Sequence, residues 1–107
     1  MNYIIGDIGN TSTRICLLEK SKISKSIILD TKKIFLKGFF NKCLGRLSRK
    51  NLNNRILFSS VVPVAFKKIK GILKRKNYEV LEVKSLDLKK LIKINIKNIK
   101  QLGSDRI

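Results

Sequence analysis

The stretch Tyr3-Ile4-Ile5-Gly6-Asp7-Ile8-Gly9-Asn10-Thr11-Ser12-Thr13-Arg14-Ile15-Cys16-Leu17-Leu18 decides how the rest of the chain is read. Two β-rich runs, Tyr3 to Ile8 and Thr13 to Leu18, flank Gly9-Asn10, a dipeptide suited to the positive φ values of a tight hairpin. A third run, Ile23 to Leu29, follows the polar break at Glu19–Lys22 and alternates in part, so a three-stranded meander is expected. Asp7 falls at the end of the first strand. There a carboxylate can hold a metal ion or a water beside a phosphate, while Gly9 lets the backbone approach closely. The same residues also suit an ordinary hairpin in which Asp7 caps its own turn.

Beyond the meander, Leu36, Phe39, Phe40, Cys43, Leu44 and Leu47 recur at helical spacing, which predicts a helix over 34–47 weakened by Gly38 and Gly45. Ser48 to Asn54 reads as a polar loop. Arg55 to Val62 is a compact apolar run that predicts a buried strand, and Pro63 suits the first turn of a helix running to about Lys76. In that helix Val64, Ile69, Ile72 and Leu73 are expected partly inside, with Lys67, Lys68, Lys70 and Lys74 solvated. Tyr78 to Val83 alternates as the next strand. Strand, helix and strand over 55–83 make a parallel βαβ unit. Leu86 to Ile99 fits helix and strand spacing equally, and Gly103-Ser104-Asp105 looks like the entry to another helix. The order βββαβαβ is an α/β, ribonuclease-H-like half domain with a mixed sheet. A helix cap at the very end suggests a chain truncated inside a larger fold.

Composition bounds the function. At 107 residues the chain is one domain or part of one, able to bury roughly two-thirds of its unfolded surface. Apolar residues at 43% and a mean hydropathy of −0.07 describe a globular chain. It has no His, which removes Ser–His–Asp and Cys–His catalysis and every His-ligated zinc site. Ser59-Ser60 therefore has no base to activate it. Cys16 and Cys43 lack C-x-x-C spacing and read as buried free thiols. No signal-peptide pattern and no apolar run of membrane-spanning length occurs, so a cytoplasmic protein is expected.

The 25 basic and 7 acidic residues give a net charge of +18. Lys, Ile and Asn make 44 of the 107 residues, and all three have A/T-rich codons, so base composition accounts for much of the charge. A small basic nucleic-acid-binding protein is the alternative class, because +18 attracts polyphosphates whatever its origin. Lys37-Gly38-Phe39-Phe40 begins like an RNA-recognition stretch but has Phe40 where Gly or Ala is required. Neither a Walker A motif nor G-x-G-x-x-G is present.

Three segments in order, residues 1–13, Ser59-Ser60-Val61-Val62-Pro63 before a helix, and Asn98 to Ile107, together resemble type III pantothenate kinases of the actin/hexokinase/Hsp70 ATPase superfamily. The resemblance implies ATP-dependent phosphorylation of pantothenate to 4'-phosphopantothenate, the first step of coenzyme A biosynthesis. It implies that Asp7, Gly9, Asn10 and Thr11 form the ATP phosphate motif, with Asp7 near the Mg²⁺. Gly103, Asp105 and Arg106 match the family's Gly-Ala-Asp-Arg motif with Ser104 in place of Ala, which implies Asp105 as general base and Gly103 and Arg106 at pantothenate. Ile96 and Ile99 stand where the family often has Tyr and Pro. Family members are more than twice as long. The resemblance thus implies an N-terminal half domain over 1–107, without the second half, its adenosine site and its K⁺ or NH₄⁺ site, from a protein that is a homodimer at full length. A non-catalytic remnant is the third reading.

Overall fold

The computed structural model describes residues 2–20, 22–47 and 52–83. Strands β1 (Asn2–Ile8), β2 (Ser12–Glu19) and β3 (Lys22–Asp30) form the expected antiparallel meander. Strand β4 (Leu52–Ser60) then lies parallel to β1, and β5 (Glu79–Val83) parallel to β4. The result is one mixed sheet in the order β3-β2-β1-β4-β5. Helix α1 (Phe39–Gly45) precedes β4, and α2 (Pro63–Arg75) joins β4 to β5. The βββαβαβ order read from the sequence is the observed order.

Strict alternation sends the two sets of side chains in the central strands to opposite faces. Ile4 and Ile8 of β1, Ile15 and Leu17 of β2, and Ile56 and Phe58 of β4 point to the face covered by the helices, where they meet Phe40, Leu44, Phe66, Ile69 and Leu73. Ile5, Cys16, Leu18 and Leu57 form a second, smaller cluster on the other face. Gly6 belongs to the helix face, and its missing side chain is used: a Cβ there would stand 2.1 Å from Cε1 of Phe58. Phe58 in turn meets Phe66 of α2 edge to face at 6.4 Å between ring centroids. The strand glycine thus lets an aromatic ring lie directly on the β1 backbone.

Four local expectations are corrected. The helix over 34–47 is two pieces, a 3₁₀ helix at Thr31–Phe35 and α1, because Gly38 takes φ 77° and caps the second piece. The polar loop over 48–54 gives way to β4 from Leu52, whose pairing partner is Asn2; parallel ladder bonds outweigh the low β-propensity of Asn53 and Asn54. Val64 is 66% exposed, whereas Ala65 and Phe66 turn inward with Ile69 and Leu73, since the buried stripe of α2 starts one residue later. Neither Gly9 nor Asn10 has positive φ; among the described non-glycine residues that conformation belongs to Lys20 and Asn77. Both cysteines are free and buried, as expected, and they lie in the clusters on opposite faces of the sheet. The segments Leu86–Ile99 and Gly103–Asp105, with their helix and strand expectations, lie outside the described residues.

A candidate phosphate-binding turn

The sheet register assembles the site in a single row. Arg14 pairs with Ile28 of β3 on one side and Asp7 of β1 on the other; Asp7 pairs with Ser59 of β4, and Ser59 with Val83 of β5. Directly paired residues project from the same face, so this row runs across all five strands on the face opposite the helices. Its middle is polar, Arg14–Asp7–Ser59, and its flanks are apolar. Below it lies the buried Cys16–Ile5–Leu57 row, and above it is the β1–β2 turn.

The turn, residues 9–11, is held by its carbonyl oxygens. The Gly9 amide donates to the Ser12 carbonyl at 2.9 Å, closing the hairpin. Thr31, at the start of the 3₁₀ helix, then clamps the loop from outside. Its amide donates to the Thr11 carbonyl at 3.0 Å and its hydroxyl to the Gly9 carbonyl at 2.7 Å. Because that hydroxyl has one proton, the buried 2.9 Å contact between Thr13 Oγ1 and Thr31 Oγ1 must have Thr13 as donor. On the other side the Val61 amide donates to the Ile8 carbonyl at 3.0 Å.

With the Gly9 and Thr11 carbonyls committed, the turn keeps two donors in reserve. Among the described residues no acceptor takes the amides of Asn10 and Thr11, and both residues are exposed. Successive amides free at a turn form a concavity for an anion. Of the Gly9, Asn10 and Thr11 amides, therefore, Asn10 and Thr11 are available and Gly9 is used by the hairpin.

Asp7 sits one residue from the end of β1 and is half-buried. Burial pushes its carboxyl pKa up, and the nearby Arg14 guanidinium opposes that rise. Burial likewise raises the Cys16 thiol, with Arg14 lowering it and Asp7 adding to the rise. The Cys16 thiol is therefore protonated and inert at neutral pH. Among the described residues no group of three or more His, Cys, Asp or Glu gathers to hold a metal. A cation at Asp7 would have one protein carboxylate. That suits Mg²⁺, which keeps waters and binds through one or two carboxylates plus substrate phosphates.

The structure brings together Asp7, Gly9, Asn10 and Thr11 as read from the sequence, while Gly103, Asp105 and Arg106 lie outside the described residues. Sequence reasoning missed Arg14, Thr31 and Gly6. Strand alternation alone could have found Arg14, seven residues after Asp7 across a hairpin; nothing in the sequence marks Thr31.

The type III pantothenate kinase family model matches residues 3–107. A type III pantothenate kinase of Pelagibacter ubique (strain HTCC1062) is 50% identical over 108 aligned positions, covering 97% of this chain and 42% of its own length. The chain thus spans about two-fifths of the length of the curated relative it matches.

Proposed function

The chain belongs to the type III pantothenate kinase family, and on that premise we propose that residues 1–107 form the N-terminal half domain of an ATP-dependent pantothenate kinase. The observation that supports this reading is the pair of unused amides at Asn10 and Thr11, on the Thr31-clamped turn that follows Asp7 at the end of β1. These amides bind phosphate oxygens of ATP. Asp7 orients the Mg²⁺ directly or through water. Bound Mg²⁺ supplies charge neutralisation on the transferring phosphoryl group. Asp105 accepts the proton of the pantothenate hydroxyl, and Gly103 and Arg106 hold pantothenate. Little covalent work is asked of the protein, because phosphoryl transfer passes through a loose transition state and depends on positioning.

The opposing wall of the cleft, the adenosine site, the monovalent-cation site and the homodimer contacts are proposed to lie in the part of the relative's length that this chain does not span. No residue of this chain is assigned to them. The 107-residue chain alone is accordingly silent toward pantothenate. No helix among the described residues is long and apolar enough to cross a membrane, and the proposed reaction is cytoplasmic.

The test grafts residues 1–107 in place of the matching region of the 50%-identical relative and measures transfer of phosphate from ATP to pantothenate. The chimera turns over, and Asp105→Asn lowers kcat about a hundredfold or more, the usual yield of a general base. A folded chimera without activity, or one indifferent to Asp105→Asn, contradicts the reading.

A further inference from the structure

We propose that the recess between the edge strand β3, the 3₁₀ helix and α1 is a binding site for a small organic anion, a carboxylate or phosphate group on an aromatic or branched apolar body. The recess holds about 200 Å³, and a cavity of about 150 Å³ suffices for benzene. It opens on the helix-covered side of the sheet, since its strand wall includes Ile27 and Leu29, which pack with the core on that side. The Arg14–Asp7–Ser59 row projects from the other face. The site is thus separate from the turn of the proposed function and does not depend on it.

Its lining divides into an apolar floor and a basic rim. Ile27 and Leu29 from β3, with Phe39 and Cys43 from α1, are buried or half-buried and make the floor. Lys33, Lys42 and Arg46 are exposed and carry the charge. Phe39, Lys42, Cys43 and Arg46 follow the i, i+3, i+4, i+7 spacing that puts side chains on one face of a helix. Lys33 Nζ stands 5.9 Å from the centre of the Phe39 ring, so one cation is held against the aromatic wall. Lys25 Nζ donates to the Arg46 carbonyl at 2.6 Å and ties β3 to the end of α1 beside the recess.

The charge of the rim is unanswered. Asp30 is the single acidic residue between Glu19 and Glu79. It too lines the recess, but its Oδ1 accepts from the Lys32 amide at 3.1 Å and so caps the 3₁₀ helix. Among the described residues the one salt bridge joins Arg55 to Glu79, and Lys33, Lys42 and Arg46 form none. Base composition can scatter lysines over a surface, but it does not gather three cations around an apolar recess. There the walls weaken the screening of an ion contact, while the planar fork of Arg46 and two ammonium groups supply donors to an oxyanion. An extended polyanion such as a nucleic acid gains nothing from the apolar floor. A small anion with an apolar body gains from floor and rim together.

The test titrates the isotopically labelled 107-residue chain with benzoate and with phenyl phosphate at about 0.15 M salt, where diffuse attraction is screened. Inorganic phosphate and benzyl alcohol are the controls, one with the charge and no ring, the other with the ring and no charge. An aryl anion should move the amides of Leu29, Lys33, Phe39 and Cys43 together and saturate, and the tighter of the two identifies the head group. Each control should bind at least about tenfold more weakly, because it forfeits either the apolar contact or the charge-assisted hydrogen bonds. The double variant Lys42→Gln/Arg46→Gln should lose about tenfold or more in affinity for the aryl anion. Lys70→Gln/Lys74→Gln, which removes two charges from the exposed face of α2, should lose less than about twofold; amide dispersion confirms that both variants are folded. A control that binds as tightly as the aryl anions, or equal losses in the two double variants, would overturn the site. So would the absence of saturable movement at the recess; movement confined to Asn10 and Thr11 would do so while leaving the proposed phosphate turn in place.

Discussion

At the scale of single residues, Gly6 and Asp7 are neighbours with opposite logic. Gly6 serves the core: its missing Cβ leaves the space in which the fully buried Phe58 ring lies, so Gly6→Ala forces ring or backbone to move. We expect it to destabilise the domain by about 1–3 kcal/mol, the usual cost of overpacking, read as a lowered denaturant midpoint. Phe58→Leu should relieve part of that loss in the double variant, because the clash partner is the ring. Asp7, which the proposed function sets at the ATP phosphates, is held there at the expense of the fold. Burial raises its pKa from 3.8, so the folded state disfavours its charged form, and Arg14 compensates in part. The sign follows from linkage: the contribution of Asp7 to stability is most favourable below about pH 3.8, where the carboxyl is protonated in both states, and declines as pH rises from there through the raised folded value. Asp7→Asn should therefore melt at a higher temperature than wild type at pH 7, with the difference shrinking toward pH 4. A lower Tm for Asp7→Asn at neutral pH would mean that the carboxylate is structural. That Asp7 ends a strand was legible in the sequence, because alternation and a turn signal suffice; that Gly6 makes room for Phe58 was not, because the two residues lie 52 positions apart and meet only through β1–β4 pairing.

At the scale of elements, the proposed phosphate turn depends on a segment that is not its neighbour in sequence. Thr31 opens the 3₁₀ helix, and its amide and hydroxyl hold two carbonyls of the β1–β2 turn while Thr13 donates to it from beneath. Thr31→Val keeps the shape and the amide but removes the hydroxyl, leaving Gly9 without that donor and Thr13 without its acceptor. The expected cost is about 1–3 kcal/mol for the polar groups left unsatisfied, with faster hydrogen exchange at Asn10 and Thr11. Unchanged exchange there would show that the hairpin holds the turn unaided. The same neighbourhood shows why sequence reading succeeds unevenly. Strands β1, β2 and β5 and helix α2 announce themselves through periodicity and Pro63. The single helix expected over 34–47 does not survive, since periodicity cannot tell that Gly38 will adopt a left-handed conformation and restart the helix. The inward rotation of α2 that exposes Val64 and buries Phe66 is set by Phe58 across the core, which no local window contains.

At the scale of the whole molecule, the charge of +18 and the proposed phosphate turn have to be kept apart. Every described lysine is exposed, and they are distributed over β3, the 3₁₀ helix, α1 and α2 rather than gathered beside Asp7. Binding of duplex DNA or RNA should accordingly be weak, indifferent to sequence, and lost steeply between 50 and 200 mM salt, as counterion release dictates. Salt-resistant, sequence-selective binding in a mobility-shift assay would instead favour the nucleic-acid reading of this chain. The central claim concerns a much smaller surface, the two amides left unused on a clamped turn at the end of β1. It is tested most directly by following backbone amide resonances of the isotopically labelled chain while MgATP is added at near-physiological salt. The account predicts that the Asn10 and Thr11 amides move most and saturate, with Gly9, already bonded to Ser12, moving less. Shifts spread over the lysine-bearing faces of α2 and β3, with Asn10 and Thr11 unmoved, would contradict it.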